Sequence, residues 1–515
     1  MSKVTDIIAD VARIDSIEST ADASAPQATT YTKTEVDTEL ANLPMTGSKD
    51  FIASGAIDDG KVVYLNSDGT VSMVSGNPEA IGTATVFESA VSTEISTAFD
   101  SLNNKVVIAY KDSGNFSRGT VIVGAVSGNT ISFGTPVVFN TRSTSYTSVA
   151  FDTLNNKVVI VCRDFGTYSY GKAVVGTISG TSISLGTAVN FSETDCNYIS
   201  ATFDSLSNKV VIAYKDLGNS NFGTAVVGTV SGTSISFGTP VVFTTSSLQY
   251  VSATFDTLNN KVIIAYQDST NSNYGTAVVG IVSDTSISFG TPTVFNSAAT
   301  YYISATFDST NNKVVIAYRD GGNSSRGTAI VCVILGTSIS FGTPTVFDTG
   351  FCNYISSTFD SLNHKVVISY QNGSNSSYGT TVVGEVINTY ISFNTPAVFA
   401  STSSSLVSTV FDTFNNKVII AYADVGNSTF GTSVVYQLEG SSAGSYTIGI
   451  ANSTVADTES VNIDILAGTN ASQTGLTIGD TYYVDVDGTI TNIDSGYGVI
   501  GKALSATELL ITKGV

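Results

Sequence analysis

The stretch Tyr250-Val-Ser-Ala-Thr-Phe-Asp256 decides the fold, because it belongs to a unit that recurs at a constant interval. Lys261-Val-Ile-Ile-Ala-Tyr266, Gly275-Thr-Ala-Val-Val-Gly280 and Ser286-Ile-Ser-Phe-Gly-Thr-Pro-Thr-Val-Phe295 follow it within the same unit. A Phe-Asp pair closes the first run and returns every 52 residues without insertion or deletion. A fixed period of this size indicates an array of identical supersecondary units. The seven copies of the pair are Phe99-Asp100, Phe151-Asp152, Phe203-Asp204, Phe255-Asp256, Phe307-Asp308, Phe359-Asp360 and Phe411-Asp412.

Each unit contains four short runs rich in Val, Ile, Thr, Ser, Tyr and Phe, separated by polar turns. Apolar side chains alternate in the first run, as at Ile199, Ala201 and Phe203, which is typical of a half-buried strand. Four antiparallel strands, here named A to D in chain order, repeated seven times predict an all-β, seven-bladed β-propeller. Proline cannot donate to a ladder, so strand D is expected at the outer edge of each blade and strand A along the central channel. Five copies of strand D contain it: Pro136, Pro240, Pro292, Pro344 and Pro396.

The two ends of the array predict how the ring closes. The seventh unit stops after its strand C, Gly431-Thr-Ser-Val-Val-Tyr436, and lacks a strand D. An unmatched strand D, Ala80-Ile-Gly-Thr-Ala-Thr-Val-Phe87, precedes the first unit in register. We therefore expect residues 80–87 to complete the last blade and to leave no free sheet edge.

The flanking sequences predict two further parts. Residues 51–78 and 441–515 are expected to form one small β domain, with the propeller of residues 79–440 inserted between its halves. Two copies of one hairpin, each with an Asp-Gly turn signal, support this: residues 63–70 and 483–489.

The sequence of residues 1–50 predicts a helical stem for attachment and oligomerisation. Its apolar 3-4-3 spacing is typical of the seam of a short coiled coil, and we expect the stem to be trimeric. A single helix docked on a neighbouring protein is the alternative. The seam positions are Val4, Ile7, Val11 and Ile14.

Charge and composition argue against several classes of function. The formal net charge of −20 disfavours nucleic acid and anionic membrane surfaces as partners. No apolar run of 18 residues is present, so no membrane insertion is expected. The N-terminus lacks the apolar core of a secretory signal, which predicts synthesis in a cytoplasm. The four cysteines follow no metal-ligand spacing and are expected to be free thiols: Cys162, Cys196, Cys332 and Cys352.

Catalytic chemistry finds little support in the sequence. The single histidine, His364, replaces an Asn in the A–B turn of blade six, which leaves no Ser-His-Asp or Cys-His constellation. The Asp of the Phe-Asp pair occurs in every unit, so capping of turns and contact between blades is its expected role. A weak Ca²⁺ site in these Asp and Asn turns is the alternative. No singular pair of unlike carboxylates stands out, as glycoside hydrolysis requires, so we predict no enzyme, cofactor or catalytic residue.

The units differ most on the face where the B–C and D–A connections open. Tyr beside Asn, Ser and Asp suits a sugar or a protein epitope, and ordinary blade packing is the alternative for any single Tyr. The opposite face is expected to be inert or to face the stem. Five candidate residues share one equivalent position, expected to ring the channel mouth, where blades one and seven have Glu94 and Leu406: Tyr146, Tyr198, Tyr250, Tyr302 and Tyr354. The remaining candidates lie in the B–C loops: Tyr168, Tyr170, Tyr274, Tyr378, Arg118 and Arg326.

Two flanking segments resemble tailed-bacteriophage fibre proteins. Tyr31-Thr-Lys-Thr-Glu-Val-Asp37 resembles a segment common in those fibres. Residues 475–489, followed by residues 500–511, are similar to a β module of phage tail and head fibres. The resemblance implies a homotrimeric virion fibre that joins other tail or head proteins through its stem and contacts a glycan or protein receptor on the host surface. A surface-polysaccharide depolymerase on the same scaffold, and a structural head or tail decoration fibre without a specific ligand, are the alternatives.

Overall fold

The computed structural model describes residues 48–65, 70–73, 76–77, 79–166, 169–438, 440–441, 447–464, 469–470, 473–477, 481–484, 489–492, 499–503, 506–507 and 509–511. They form two compact units, one of them Ala80–Leu438 and the other made of the described residues on either side of it. Residues 1–47 of the predicted stem lie outside the described residues. These include the seam positions Val4, Ile7, Val11 and Ile14. Helix within the described part is limited to two single turns, Ser113–Asn115 and Val425–Asn427, and neither could span a membrane.

The central unit is a seven-bladed β-propeller. Its 28 described strands form one closed sheet that follows the chain order. Strands B and C make the middle of each blade and pair in antiparallel register throughout. The bounds of strand B are Lys105–Asp112, Lys157–Phe165, Lys209–Asp216, Lys261–Asp268, Lys313–Asp320, Lys365–Asn372 and Lys417–Asp424. Those of strand C are Arg118–Ser127, Tyr170–Ser179, Phe222–Ser231, Tyr274–Ser283, Arg326–Leu335, Tyr378–Ile387 and Phe430–Gln437.

The core lies between blades. In strand B of blade four, Val262 and Ile264 pack in a cluster shared with blade three. Their neighbours Ile263 and Ala265 belong to the cluster shared with blade five. Successive residues of a strand point to opposite faces, so a run that is apolar at every position is buried on both sides. This explains why strand B reads as a continuous apolar run whereas strand A alternates.

Strand D differs from the single uninterrupted strand that the sequence predicts. It is interrupted at Gly-Thr-Pro, and its second half continues without a break into strand A of the next blade. In blade three, the proline at position 240 interrupts the strand because it has no N–H to donate to the ladder. Glycine is needed at position 238 because a Cβ there would lie 1.8 Å from the Thr285 carbonyl oxygen of blade four. The short first halves are Ala80–Ile81, Thr130–Phe133, Ser182–Leu185, Ser234–Phe237, Ser286–Phe289, Ser338–Phe341 and Tyr390–Phe393. The long D–A strands are Thr85–Asp100, Val137–Asp152, Val189–Asp204, Val241–Asp256, Thr293–Asp308, Thr345–Asp360 and Ala397–Asp412.

Strand pairing confirms the predicted order within the blade and the predicted closure. Both D segments pair with strand C only, so D is the outer edge, and within a blade strand A pairs with B only. Ala80–Ile81 pairs with Gln437 and Tyr436 of the seventh blade. The start of Thr85–Asp100 continues this pairing up to Phe430. The ring therefore closes with a strand taken from its N-terminal end.

A ring of serines joins the innermost strands. Each strand A carries one serine whose Oγ accepts a hydrogen bond from a backbone N–H of the next blade, at 2.9–3.1 Å. The bond from Thr97 N–H to Ser408 Oγ completes the circle between blades seven and one. Polar backbone groups at the inner strand edge are thereby satisfied. The serines are Ser96, Ser148, Ser200, Ser252, Ser304, Ser356 and Ser408.

The second unit contains strands from both flanks of the propeller. Its first sheet has the order Ser48–Ile52, Ser460–Asp464, Thr447–Ala451, Val62–Leu65 and Val71–Met73, so residues before and after the propeller pair directly. The second sheet has the order Thr469–Asn470, Leu509–Ile511, Val499–Ala503, Thr481–Val484 and Ile490–Thr491. Gly76–Asn77 and Gly440–Ser441 form a separate two-stranded ribbon. Both predicted hairpins are present, since Val63 pairs with Met73 and Tyr483 with Thr491. The first strand begins at Ser48, three residues before the predicted domain boundary.

Candidate functional site

The B–C loops and the D–A bends lie side by side on one face of the propeller, as predicted, and this face is called the top face below. In the first blade, Thr144 N–H of a D–A bend donates to Ser117 O of a B–C loop over 3.0 Å. Equivalent bonds join Thr300 to Asn273 and Ser404 to Ser377. Residues far apart in the sequence therefore form a continuous surface around the channel.

The five tyrosines that share one equivalent position form an arc around the mouth of the channel on the top face. These five residues are called the tyrosine arc. Neighbouring ring centroids lie 5.2, 5.7, 5.2 and 5.1 Å apart from Tyr146 to Tyr354. All five side chains are partly buried, and four of them pack on the blade cores. Tyr198 donates to Gln249 Oε1 over 3.0 Å. Within the described part of the chain, the other four hydroxyls make no hydrogen bond. The arc thus presents aromatic surface and hydroxyls available to a ligand.

The backbone places these side chains on the top face by a β-bulge. In each blade the register of A against B shifts at this position, for example between Gln249 and Ser252. The bulged residue takes a left-handed conformation, with φ of 49–54° in all seven blades. Glycine would adopt this conformation at least cost, and no blade has glycine there. Because the bulge holds a large side chain instead of glycine, we infer that it orients this side chain toward the top face. Bulges next to functional sites commonly reorient a side chain in this way.

The arc ends at blades seven and one, where Leu406 and Glu94 take the place of tyrosine. The Glu94 carboxylate accepts a bond from the Tyr146 N–H over 2.7 Å. Burial raises the pKa of Glu94, and this bond and the charge of Lys111 oppose the rise. Burial also raises the pKa of Tyr146, Tyr198, Tyr250 and Tyr302, so their hydroxyls stay protonated donors at neutral pH.

Two arginines that sequence reasoning missed lie in grooves between blades on the top face. Arg319 of blade five donates to Asn353 Oδ1 of blade six over 2.5 Å. Its guanidinium lies 4.3, 4.9 and 4.7 Å from the ring centroids of Tyr301, Tyr302 and Phe351. These residues are called the Arg319 groove. The signal in the sequence was variation at one position between a Tyr and an Asp that each occur in six of the seven blades. That position holds Lys111, Arg163, Lys215, Gln267, Arg319, Gln371 and Ala423.

Arg163 lies in the equivalent groove between blades two and three. It donates to Asn197 Oδ1 over 2.6 Å and forms an ion pair with Asp195 over 2.8 Å. Its side chain is 14% exposed, and the guanidinium stacks 4.2 Å from the Phe165 ring centroid. Asp195 occupies the position that Phe351 holds three blades later. The two grooves therefore share an arginine and an asparagine, and differ in whether the chain supplies a carboxylate.

The other predicted candidates form a second, outer circle. Arg118, Tyr170, Tyr274, Arg326 and Tyr378 each begin strand C and are partly exposed. Arg118 donates to Asn115 Oδ1 and lies 5.3 Å from the ring centroid of Phe116, which is 82% exposed. These residues lie on the top face as predicted but outside the tyrosine arc. Tyr168 lies outside the described residues.

The repeated carboxylates act as caps, as predicted. Each Asp of the Phe-Asp pair is buried, and its Oδ1 accepts backbone N–H bonds from the A–B turn, as Asp256 does from Leu258 and Asn259. Asn259 then donates to Asn312 of the next blade over 2.9 Å. Within the described ranges, no group of three or more His, Cys, Asp or Glu could hold a metal ion. The four cysteines are buried free thiols.

Blade two differs from the other six blades at one cross-strand pair of residues. Cys162 replaces a tyrosine found in all six other blades, and its cross-strand partner Lys172 replaces a threonine found in all six. The Lys172 ammonium lies 2.5 Å from a carboxylate oxygen of Asp164, whose side chain is 3% exposed. Burial raises the pKa of the Cys162 thiol to about 12. The lysine thus lies beside the small cysteine and neutralises a buried carboxylate.

The opposite face, which we expect to be inert or to face the stem, carries an apolar ring in the A–B turns. Six of the seven equivalent positions hold apolar side chains that are 54–68% exposed. The seventh holds Thr310, which bonds His364 Nδ1 over 2.7 Å. His364 is exposed, as predicted for a surface variant. The six are Leu102, Leu154, Leu206, Leu258, Leu362 and Phe414.

Neither a protein-family model nor a curated protein sequence matches the chain. Solved propeller structures do resemble it. The BP39L lectin from Burkholderia pseudomallei has a TM-score of 0.51 and 9% identity over 69% of this chain and 100% of that one. The Cps50 (Swd1) β-propeller domain from Myceliophteria thermophila has a TM-score of 0.46 and 8% identity over 70% and 100%. AofleA from Arthrobotrys oligospora has a TM-score of 0.40 and 9% identity over 67% and 97%. At such identities the similarity shows the propeller fold alone.

Proposed function

We propose that this protein is a non-enzymatic attachment protein of a virion fibre, and that its propeller binds saccharide chains on the host cell surface through the top face. The tyrosine arc is the observation that supports saccharide binding. It offers five partly exposed aromatic rings and, at all but Tyr198, hydroxyls with no partner in the described part of the chain, the combination that packs on and bonds a sugar ring. The virion location rests on the sequence resemblance of the flanking segments.

The shape of the site favours many weak contacts. The five tyrosines repeat a similar surface around the channel mouth, so one long chain could contact several of them at once. Linked contacts raise the overall affinity without any single strong site. A solved relative in fold, BP39L, is described as a lectin, which agrees with this use of a propeller.

The experiment is co-elution of the purified protein with polysaccharide extracted from candidate host cells, on a sizing column, with the length of the chains followed. We expect co-elution with chains of unchanged length. Shortened chains would contradict the non-enzymatic assignment, and the absence of co-elution with any host polysaccharide would contradict saccharide binding.

Two variants identify the face that binds. Tyr250→Leu should weaken binding, and the fold accepts leucine at that position because Leu406 occupies it in blade seven. Leu258→Thr on the opposite face is the matched control, because Thr310 occupies that position in blade five. Loss of binding in the control alone would place the site on the apolar ring instead.

A further inference from the structure

We infer that the Arg319 groove recognises a carboxylate-bearing sugar, such as a uronic acid, within the bound chain. The inference rests on the proposed saccharide binding and adds the chemical class of the ligand. It is carried by the comparison of two grooves that are equivalent in the fold and differ in charge.

The Arg163 groove contains its own acid. Asp195 Oδ2 accepts from Arg163 Nη2 over 2.8 Å, and Asn197 accepts from the other terminal nitrogen. Planar guanidinium groups are suited to paired bonds with carboxylates. This groove therefore shows, inside the same protein, where a carboxylate sits relative to this arginine and asparagine.

In the Arg319 groove the acid is missing. The position equivalent to Asp195 is Phe351, and Arg319 forms no ion pair with any residue the structure describes. Its one hydrogen-bond partner among those residues is Asn353. Its Nε is buried without a partner, as is the Nε of Arg163, so the two grooves differ only at the terminal nitrogens of the guanidinium. In a chain of net charge −20, a partly buried arginine that forms no ion pair with the described residues leaves its charge without a counter-ion from this chain.

The surroundings of Arg319 suit a sugar rather than a free ion. Tyr301, Tyr302 and Phe351 surround the guanidinium and hold it in the groove, and Phe351 is 41% exposed. Aromatic faces pack on the apolar face of a sugar ring, while the guanidinium bonds its carboxylate. The groove is also continuous with the tyrosine arc, because Tyr302 belongs to both. A chain lying on the arc can thus place one acidic sugar against Arg319.

The test measures binding by isothermal titration calorimetry of oligosaccharides that carry uronic acid, sialic acid or pyruvate-ketal carboxylates. Each is compared with its methyl ester, which keeps the sugar and removes the charge. We expect at least one acid form to bind about tenfold or more tightly than its ester, because hydrogen bonds to charged groups are the stronger ones. Its affinity should fall as salt rises, since salt screens the charge.

Four variants separate recognition from structure, and each is checked for an unchanged fold by its thermal transition. Arg319→Gln uses a residue that the fold accepts at positions 267 and 371, and it should lose the preference for the acid form. Phe351→Asp supplies an internal acid and should lose it too. Arg163→Gln should leave it unchanged. Asp195→Phe should create a second site and double the number of acid oligosaccharides bound per chain.

Three results would overturn the inference. The first is that acid forms bind no better than their esters, and the second is that the Arg319→Gln variant keeps the preference for the acid form. Either result would contradict recognition by the Arg319 groove and would leave saccharide binding by the tyrosine arc unaffected. Binding of poly-glutamate at Arg319 with equal affinity would replace the sugar by an acidic protein segment. Failure of every neutral and acidic saccharide, including host polysaccharide, would instead contradict the proposed function itself.

Discussion

The glycine at the break in strand D should be among the least replaceable residues of the propeller. A Cβ at Gly238 would lie 1.8 Å from the Thr285 carbonyl oxygen of the next blade, whereas real Cβ contacts stay beyond 3.0 Å. Gly238→Ala must therefore push the two blades at least 1.2 Å apart at this point. The obstacle is backbone and cannot rotate away, so we expect a loss of about 3 kcal/mol, the upper part of the range for overpacking.

The same position provides its own control in blade six. Six of the seven breaks have glycine, and the seventh has the exposed Asn394. Blade seven follows it, and there the chain leaves the ring at Leu438 without forming a C–D turn. Asn394→Ala should therefore cost less than about 0.5 kcal/mol, as for an ordinary surface change.

Differential scanning calorimetry measures both variants. For a unit of about 360 residues, 3 kcal/mol corresponds to a fall in Tm of about 4 °C, and the control should fall by less than 1 °C. Equal shifts in Gly238→Ala and Asn394→Ala would refute the close approach of blades as the reason for glycine.

Three further outcomes test other parts of the account. Burial raises the pKa of Glu94, so its contribution to stability is present below about pH 4.5 and is lost as pH rises through the raised pKa. Glu94→Gln should accordingly raise Tm at pH 7, with the difference disappearing below about pH 4.5. Cys162→Tyr and Lys172→Thr should each destabilise blade two, while the double variant, which restores the residues of the other blades, should show a favourable coupling of about 2 kcal/mol in a double-mutant cycle. Ser200→Ala removes the acceptor of one bond in the serine ring and should lower the free energy of unfolding, measured by denaturant titration, by about 1 kcal/mol.

The period of the sequence predicts most of the fold. A constant 52-residue repeat with four strand-like runs specifies the blade, and the unmatched run at residues 80–87 specifies closure. The continuity of strand D with strand A was not predicted. Proline predicts an interruption of strand D but not the residue at which pairing resumes. The bulge that turns the chain depends on the register of strand A against strand B. Register is set by tertiary packing, which a single run of residues does not reveal.

The site was predictable only in part. The five equivalent tyrosines can be found because one position varies little, and the structure brings their rings together. The Arg319 groove could not be found in the same way, because its members come from two blades, at positions 301, 302, 319, 351 and 353. Sequence alone does not show which side chains of neighbouring blades meet. It also does not show that Asp195 leaves one groove neutral while Phe351 leaves the equivalent groove positively charged.

The measurement that tests the central claim most directly is the affinity of intact host surface polysaccharide for the wild-type protein and for a Tyr250→Leu/Tyr302→Leu variant. Both substitutions introduce the residue found at the same position in blade seven, so the fold should persist and the thermal transition should confirm it. Loss of two ring contacts at about 0.5–1.5 kcal/mol each predicts binding at least about fivefold weaker, with chains of unchanged length. Wild-type affinity in the variant would contradict the assignment of the tyrosine arc as the saccharide-binding surface.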